Sequence, residues 1–290
     1  MLSHPDAPNQ CSAIVRCEVC GLRRLDPRPR PDVLPRYYPD RYGPYVGRLR
    51  SRRKQQLWNF VRDVCSGVRC QRMPSSLARA LGSWLFDVNV WLGRRPQEVL
   101  EIGCGFGDLL IYLKSRGCEV QGIDFDSRAI AKASEYGLKV CSPQTFVAKA
   151  NSYDHAILSH VLEHLPRPAE TLYMVASVLR AGGYLHLAVP NGDSVGLRQE
   201  GASWGCLFHP IHLWYFDRNS LSALLERTGF EVLFVDYADI STNHINLWRS
   251  LWPHTARSRI FGQALRHLIK TAVNPQARDL LRIVARKKPQ

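Results

Sequence analysis

Two short runs concentrate the side chains able to move a proton. His160-Val-Leu-Glu163-His164 places two imidazoles and a carboxylate within five residues, and the run from Trp204 to Phe216 adds His209 and His212. An unperturbed imidazole changes charge near neutrality, so His164 or His212 could take a proton from a hydroxyl acceptor. The same side chains could instead hydrogen-bond loop backbone and shape a pocket. Spacing alone leaves both readings open.

A second constellation lies upstream. Glu101-Ile-Gly103-Cys104-Gly105-Phe-Gly107 puts three glycines in five residues, enough for a sharp turn that passes close to a ligand. Asp108 follows, where a dinucleotide fingerprint would carry its last glycine. An acid there is a poor neighbour for a pyrophosphate, and no G-x-x-x-x-G-K-[ST] loop is present. The turn therefore suits a ligand with an amine and a positive centre. About twenty residues on, Asp124 closes Gly-Ile-Asp-Phe and could accept both hydroxyls of a ribose, with Phe125 against a base.

These residues need a frame that brings them to one edge. Apolar runs at Glu98–Gly103, Glu119–Ile123, Leu138–Cys141, Asp154–Ser159, Tyr184–Val189 and Phe230–Val235 read as strands. Helical stretches separate them: 108–116, 127–136 with Ser127 as cap, 168–180 stopped by Gly182-Gly183, and 219–227. Such alternation gives right-handed βαβ units and a mostly parallel sheet with helices on both faces. Leu280–Ala285 could add a last strand. Residues 21–47, with six prolines from Pro27 to Pro44, read as an extended arm. Arg48–Leu92 and 243–272 read as helical. The expected division is a basic arm with helices (1–95), a core (96–240) and a basic helical segment with the last strand (241–290).

VLEIGCGFGDLL, VQGIDFD, YDHAILSHVLEHLPRP and LRAGGYLHLAVPN, in this order, resemble the class I S-adenosylmethionine (SAM)-dependent methyltransferases across roughly residues 96–240. The resemblance implies a Rossmann-like seven-stranded sheet with its last strand antiparallel, and SAM as cofactor. It implies that Glu101 addresses the amino end of the methionine portion, with Gly103, Cys104 and Gly105 lining it. Asp124 would hold the ribose and Phe125 cover the adenine, while Ser159 and His160 face the reacting end, near His164 and His212 as candidate catalytic groups. The segment 141–145 shows no clear counterpart to the relatives' adenine-side acid or amide.

The Trp204–Phe216 run resembles a subgroup related to ubiquinone-pathway O-methyltransferases. Some relatives bind Mg²⁺ through E-x-x-E-H and a distant histidine. Here His160 stands at the first acid, and three imidazoles with one carboxylate suit a softer ion. No residue is assigned to a metal from sequence alone. Cys17-Glu-Val-Cys20-Gly21 resembles the second half of an N-terminal zinc ribbon, and Tyr37-Tyr38-Pro-Asp-Arg-Tyr42 a stretch that could close over the cofactor, Tyr42 being the best single candidate.

The net charge of +14 divides unevenly. Residues 1–95 carry 18 basic and 7 acidic side chains, residues 96–240 carry 11 and 17, and residues 241–290 carry 10 and 1. The positive excess thus lies in the flanks, which could meet a polyanionic carrier or a membrane surface. No recognised nucleic-acid-binding module is present. Nine irregularly spaced cysteines fit free thiols in a reducing compartment, and with no signal pattern or apolar span the expectation is a cytoplasmic protein. The functional expectation is methyl transfer from SAM to a hydroxyl of a small or carrier-linked metabolite, sugar-like or phenol-like. An RNA methyltransferase using the basic flanks and a non-catalytic SAM-binding scaffold are the alternatives.

Overall fold

The computed structural model describes residues 2–4, 7–38, 97–238 and 278–289, with the single positions Asn59, Asp63, Val273, Asn274 and Gln276. Apart from Asn59 and Asp63, the helices expected over 48–92 and 243–272, and Tyr42, lie outside the described residues.

Strands β1 (Leu2–His4), β2 (Ala7–Arg16) and β3 (Arg23–Asp26) open the chain, followed by a 3-10 turn at Leu34–Tyr37. The core follows as β4 (Glu98–Ile102), α1 (Asp108–Lys114), β5 (Glu119–Ile123), α2 (Ser127–Glu135), β6 (Lys139–Cys141) and β7 (Tyr153–Ser159). It continues as α3 (Pro168–Val178), β8 (Leu179–Pro190), α4 (Val195–Glu200), β9 (Trp214–Tyr215), α5 (Arg218–Arg227), β10 (Phe230–Ala238) and β11 (Leu280–Lys287).

Seven strands form the main sheet in the order β10-β11-β8-β7-β4-β5-β6. Pairings from β8 across to β6 are parallel, and β11 runs antiparallel to both its neighbours. The expected Rossmann-like sheet with an antiparallel last strand is thus observed. Its central strands are covered on both faces, which is why they read as near-continuous apolar runs. Leu100, Ala156, Leu158, Leu185 and Ile283 are among the residues that share the largest core cluster with Leu172, Val175 and Leu221 from the helices.

Three local expectations are corrected. Helix α3 ends at Val178, before its glycines, because Leu179 already pairs with Tyr153 as the first residue of β8. The cap of α2 is Asp126 rather than Ser127, since the Asp126 carboxylate accepts from the Arg128 amide at 2.8 Å. Within the arm expected to be merely extended (21–47), residues Arg23–Asp26 form β3, which joins β1 and β2, strands with no sequence-based expectation, and β9 in a sheet of order β1-β2-β3-β9.

That small sheet is fastened to the core at the loop after β8. Arg23 reaches Asp193 at 2.9 Å and Asp217 at 3.6 Å, the Leu25 amide donates to the Leu213 carbonyl, and Arg28 lies 4.5 Å over the Trp214 ring. Leu34 packs with Ile211 and Leu213 in an apolar cluster that Tyr37, Tyr38 and Trp214 flank. Among the described residues, no helix is long and apolar enough to cross a membrane.

Candidate active site

In an open parallel sheet the ligand crevice lies outside the carboxyl ends of the strands, where strand order reverses. Here β4 is that point, with β5 on one side and β7 on the other.

The turn leaving β4 is built on positive φ values at Gly103 (+71°), Gly105 (+52°) and Gly107 (+82°). Two of these glycines are held by packing: a Cβ at Gly103 would sit 2.2 Å from Val161 Cγ2, and one at Gly107 2.3 Å from Leu138 Cδ1. Gly105 differs, since a Cβ there would meet nothing within 4 Å. Its left-handed backbone borders open space, as a turn that cradles a ligand should. Glu101 is buried one step before the turn. Cys104 is buried, and desolvation pushes its thiol far up, with the neighbouring carboxylates adding to it. It therefore stays a neutral thiol and lines the turn as an apolar surface.

Asp124 directly follows β5, and its carboxylate accepts from backbone amides: Gly105 donates to Oδ2 at 2.8 Å and Asp126 to Oδ1 at 2.9 Å. Burial raises its pKa, while those amides favour the charged form. A carboxylate at this place beside the glycine turn is the acceptor type that a vicinal diol asks for. Phe125, the next residue, is half exposed, and the Tyr38 ring meets it edge-on at 4.9 Å between centroids.

Across β4, Ser159 ends β7 and His160 follows in the left-handed region at φ +56°, its amide bonded to the Ala188 carbonyl at 2.8 Å. That uncommon conformation turns the chain into the 3-10 turn Leu162–His164. Glu163 is wholly buried, and neither of its carboxylate oxygens has a hydrogen-bond partner. His160 Nδ1 is 3.6 Å away, an ion-pair distance beyond hydrogen-bond range.

His164 and His212 meet edge-to-face, ring centroids 4.5 Å apart. His164 Nδ1 lies 3.1 Å from the Ile211 carbonyl, and His212 Nδ1 2.8 Å from the Cys206 carbonyl. A carbonyl only accepts, so in the neutral ring each Nδ1 carries the hydrogen and each Nε2 keeps a lone pair. Burial lowers both imidazoles, His212 to about 3. Burial also works against charge on Glu163, but the imidazoles of His160, His164 and His212 outweigh it and hold the carboxyl below its ordinary range. At neutral pH Glu163 is a buried carboxylate beside the neutral imidazoles of His164 and His212.

Ligand-capable atoms of Glu163, His164 and His212 lie within 4.8 Å of one another. Two imidazole nitrogens and a carboxylate, each histidine fixed by a backbone carbonyl at its other nitrogen, form a set that a borderline divalent ion could use. Equally, the carboxylate would stabilise an imidazolium formed by proton uptake at either Nε2.

The loop between β8 and β9 is pinned over this cluster. The Leu213 amide donates to the Glu163 carbonyl, Trp214 Nε1 to the Leu165 carbonyl at 2.8 Å, and Trp204 Nε1 to Asp279 at 2.8 Å. Phe208 takes φ +39°, an outlier for so bulky a residue, and stays half exposed with its ring 5.1 Å from that of His212.

The ten sequence-predicted site residues thus fall on one edge, in two groups. Glu101, Gly103, Cys104, Gly105, Asp124 and Phe125 border the β4–β5 side, while Ser159, His160, His164 and His212 border the β7–β8 side. Sequence reasoning missed Tyr38 as the bridge between them, having favoured Tyr42. The only cue was its place in a tyrosine-rich stretch. Cys17 and Cys20 are exposed free thiols at the tip of the β2–β3 hairpin. Among the described residues, Glu163, His164 and His212 form the only metal-capable group, and the side chains of His4 and Cys11 lie outside them.

A family model described as a methyltransferase domain matches residues 71–235, more than half of the chain, and the chain belongs to that family. The ubiquinone biosynthesis O-methyltransferase of Aromatoleum aromaticum is 33% identical over 114 residues, 35% of this chain and 49% of that protein. Its namesake from Marinobacter nauticus is 32% identical over 106 residues, 33% of this chain and 44% of that protein. The chain thus spans about half the length of the curated relatives it matches. A solved structure described as a SAM-dependent methyltransferase from Listeria monocytogenes aligns with a TM-score of 0.50 at 17% identity, covering 72% of this chain and 100% of that one. At that identity the likeness is one of fold.

Proposed function

We propose that this protein transfers a methyl group from SAM to a hydroxyl of a small or carrier-linked acceptor, phenol-like or sugar-like. The observation that carries the reading is the meeting, on one sheet edge, of a carboxylate beside an open glycine turn with a Glu-His-His cluster. Glu101 and the turn fit the amino-acid end of SAM, Asp124 its ribose and Phe125 its adenine, and Ser159 and His160 lie toward the reacting end. Bound SAM supplies a methyl group on an already activated sulfonium. The chain's own task is to align the acceptor, exclude water and take the hydroxyl proton. His164 or His212 accepts that proton at Nε2, and Glu163 stabilises the resulting charge.

The names of the curated relatives favour a phenolic hydroxyl. Cytoplasmic residence accords with the six described free cysteines. The basic flanks suit a polyanionic carrier or membrane surface near the acceptor.

Asp124→Ala should weaken SAM binding in calorimetry by at least tenfold; affinity equal to wild type would refute the ribose role. A screen for metabolites that gain a methyl group with protein and SAM identifies the acceptor. Methylation of RNA alone would favour the nucleic-acid alternative, and SAM binding without any acceptor the scaffold.

A second reading draws on the buried Glu163 carboxylate, which has no hydrogen-bond partner: the cluster holds a divalent ion that binds the acceptor oxygen. Full methyl transfer in excess chelator, with no metal in the purified protein, would remove it.

A further inference from the structure

We propose that Tyr38 is a positioning residue that spans the crevice, coupling the adenine wall at Phe125 to the orientation of His164. This inference rests on the methyltransferase reading and adds a residue from outside the sheet to it.

Tyr38 belongs to the N-terminal arm, yet its side chain reaches both halves of the site. Its ring meets Phe125 at 4.9 Å and 60°. Its Oη lies 3.2 Å from His164 Nδ1, with ring centroids 6.0 Å apart. One rigid side chain with two rotatable bonds therefore touches a residue just past β5 and another just past β7, on opposite sides of β4.

The hydrogen-bond bookkeeping fixes the sense of the second contact. Because the Ile211 carbonyl at 3.1 Å can only accept, Nδ1 carries the hydrogen, and the Tyr38 oxygen shares it as a second acceptor. His164 is thereby held from two sides, with the Nε2 lone pair as its remaining ring nitrogen. That orientation serves proton uptake and cation binding alike.

The arm is built to hold such a position. Tyr38 follows directly on the 3-10 turn whose Leu34 is buried against Ile211 and Leu213. Ile211, the residue whose carbonyl orients His164, is thus also part of the arm's anchor. A ligand that stacks on Phe125 must displace or rest against the Tyr38 ring, and the phenol transmits that movement to His164.

The test uses the full-length protein, S-adenosylhomocysteine as probe, and ¹⁵N-histidine NMR at fixed pH, with the His164 signals assigned through His164→Gln. In the wild type the probe should shift the His164 Nδ1 signal. Tyr38→Phe should retain probe affinity within threefold yet abolish that shift, since the ring stays and the oxygen goes. Tyr38→Ala should weaken the probe at least tenfold. An undiminished shift in Tyr38→Phe, or wild-type affinity in Tyr38→Ala, overturns the proposal. Should Tyr38→Ala fail to fold, the Tyr38→Phe spectrum decides alone. Wild-type protein that ignores the probe refutes the methyltransferase reading instead.

Discussion

Two groups of histidines, one on strands β7 and β8 and one in the loops beyond their carboxyl ends, differ in almost everything except residue type. Midway along the strands, His155 Nδ1 meets His186 Nε2 at 3.0 Å, and His155 Nε2 is bonded to Gln97 Oε1. Tyr184 stacks on His155 at 5.5 Å. No buried carboxylate faces that pair in these contacts. At the carboxyl edge, His164 and His212 lie beside Glu163, whose two oxygens have no hydrogen-bond partner, and ligand-capable atoms of all three lie within 4.8 Å of one another. The first group consumes its polar atoms in holding the sheet together, apart from His186 Nδ1, which lacks a partner. The second leaves acceptors converging on one another. Buried histidine alone does not mark a site; convergence of unspent acceptors does.

The sharpest way to break this contrast is substitution at the edge. His212→Gln should lower methyl transfer by about 10²–10⁴-fold, the usual contribution of a positioned base, while unfolding by denaturant changes far less. An equal loss of stability and turnover would place His212 with the structural pair.

Acidification probes the other group. Unfolded imidazoles titrate near 6.5, whereas burial holds His155 at about 4 and His186 at about 3. Between those limits the unfolded chain binds more protons. Stability is therefore full above about pH 7 and falls by at most about 1.4 kcal/mol per histidine per pH unit as the medium becomes more acid. Urea unfolding at pH 8, 6 and 5 measures the slope. His186→Leu should flatten it, cost about 1–2 kcal/mol at pH 8 through the unpaired His155 nitrogen, and leave methyl transfer intact. A slope unchanged by that substitution would contradict the assignment.

The smallest expected effect concerns Phe208. Phe208→Gly relieves a left-handed backbone and should raise unfolding stability by about 1 kcal/mol, with weakened acceptor binding if the aromatic ring walls the pocket. A loss of stability would show that the ring is packed for structure.

What could be read from the sequence follows the range of the forces involved. Strands β4, β5 and β7 announced themselves because burial on both faces leaves a local apolar run, and the glycine turn because positive φ selects a residue type. The end of α3 could not be read, since a pairing with Tyr153 decides it and Gly182-Gly183 pointed past it. Nor could the small N-terminal sheet be foreseen: proline and arginine density masked β3, and its partner β9 lies about 190 residues downstream. At the site, residue types singled out the histidines that the structure brings together, His164 and His212, but their tautomers depend on the carbonyls of Ile211 and Cys206, and every residue has a carbonyl.

Strand β11 has a consequence for how the molecule comes into being. It lies between β10 and β8, and among the described strands it is the only partner of β10. While the chain is being synthesised, β4 to β8 can assemble in order, but β10 has no neighbour until residues 280–287 have been made. Until then the β8 edge stays open, with backbone groups exposed to any other strand that passes. Loss of those eight residues would unpair two edges at once, so a premature stop near position 279 should yield an aggregating polypeptide rather than a slightly shortened folded protein.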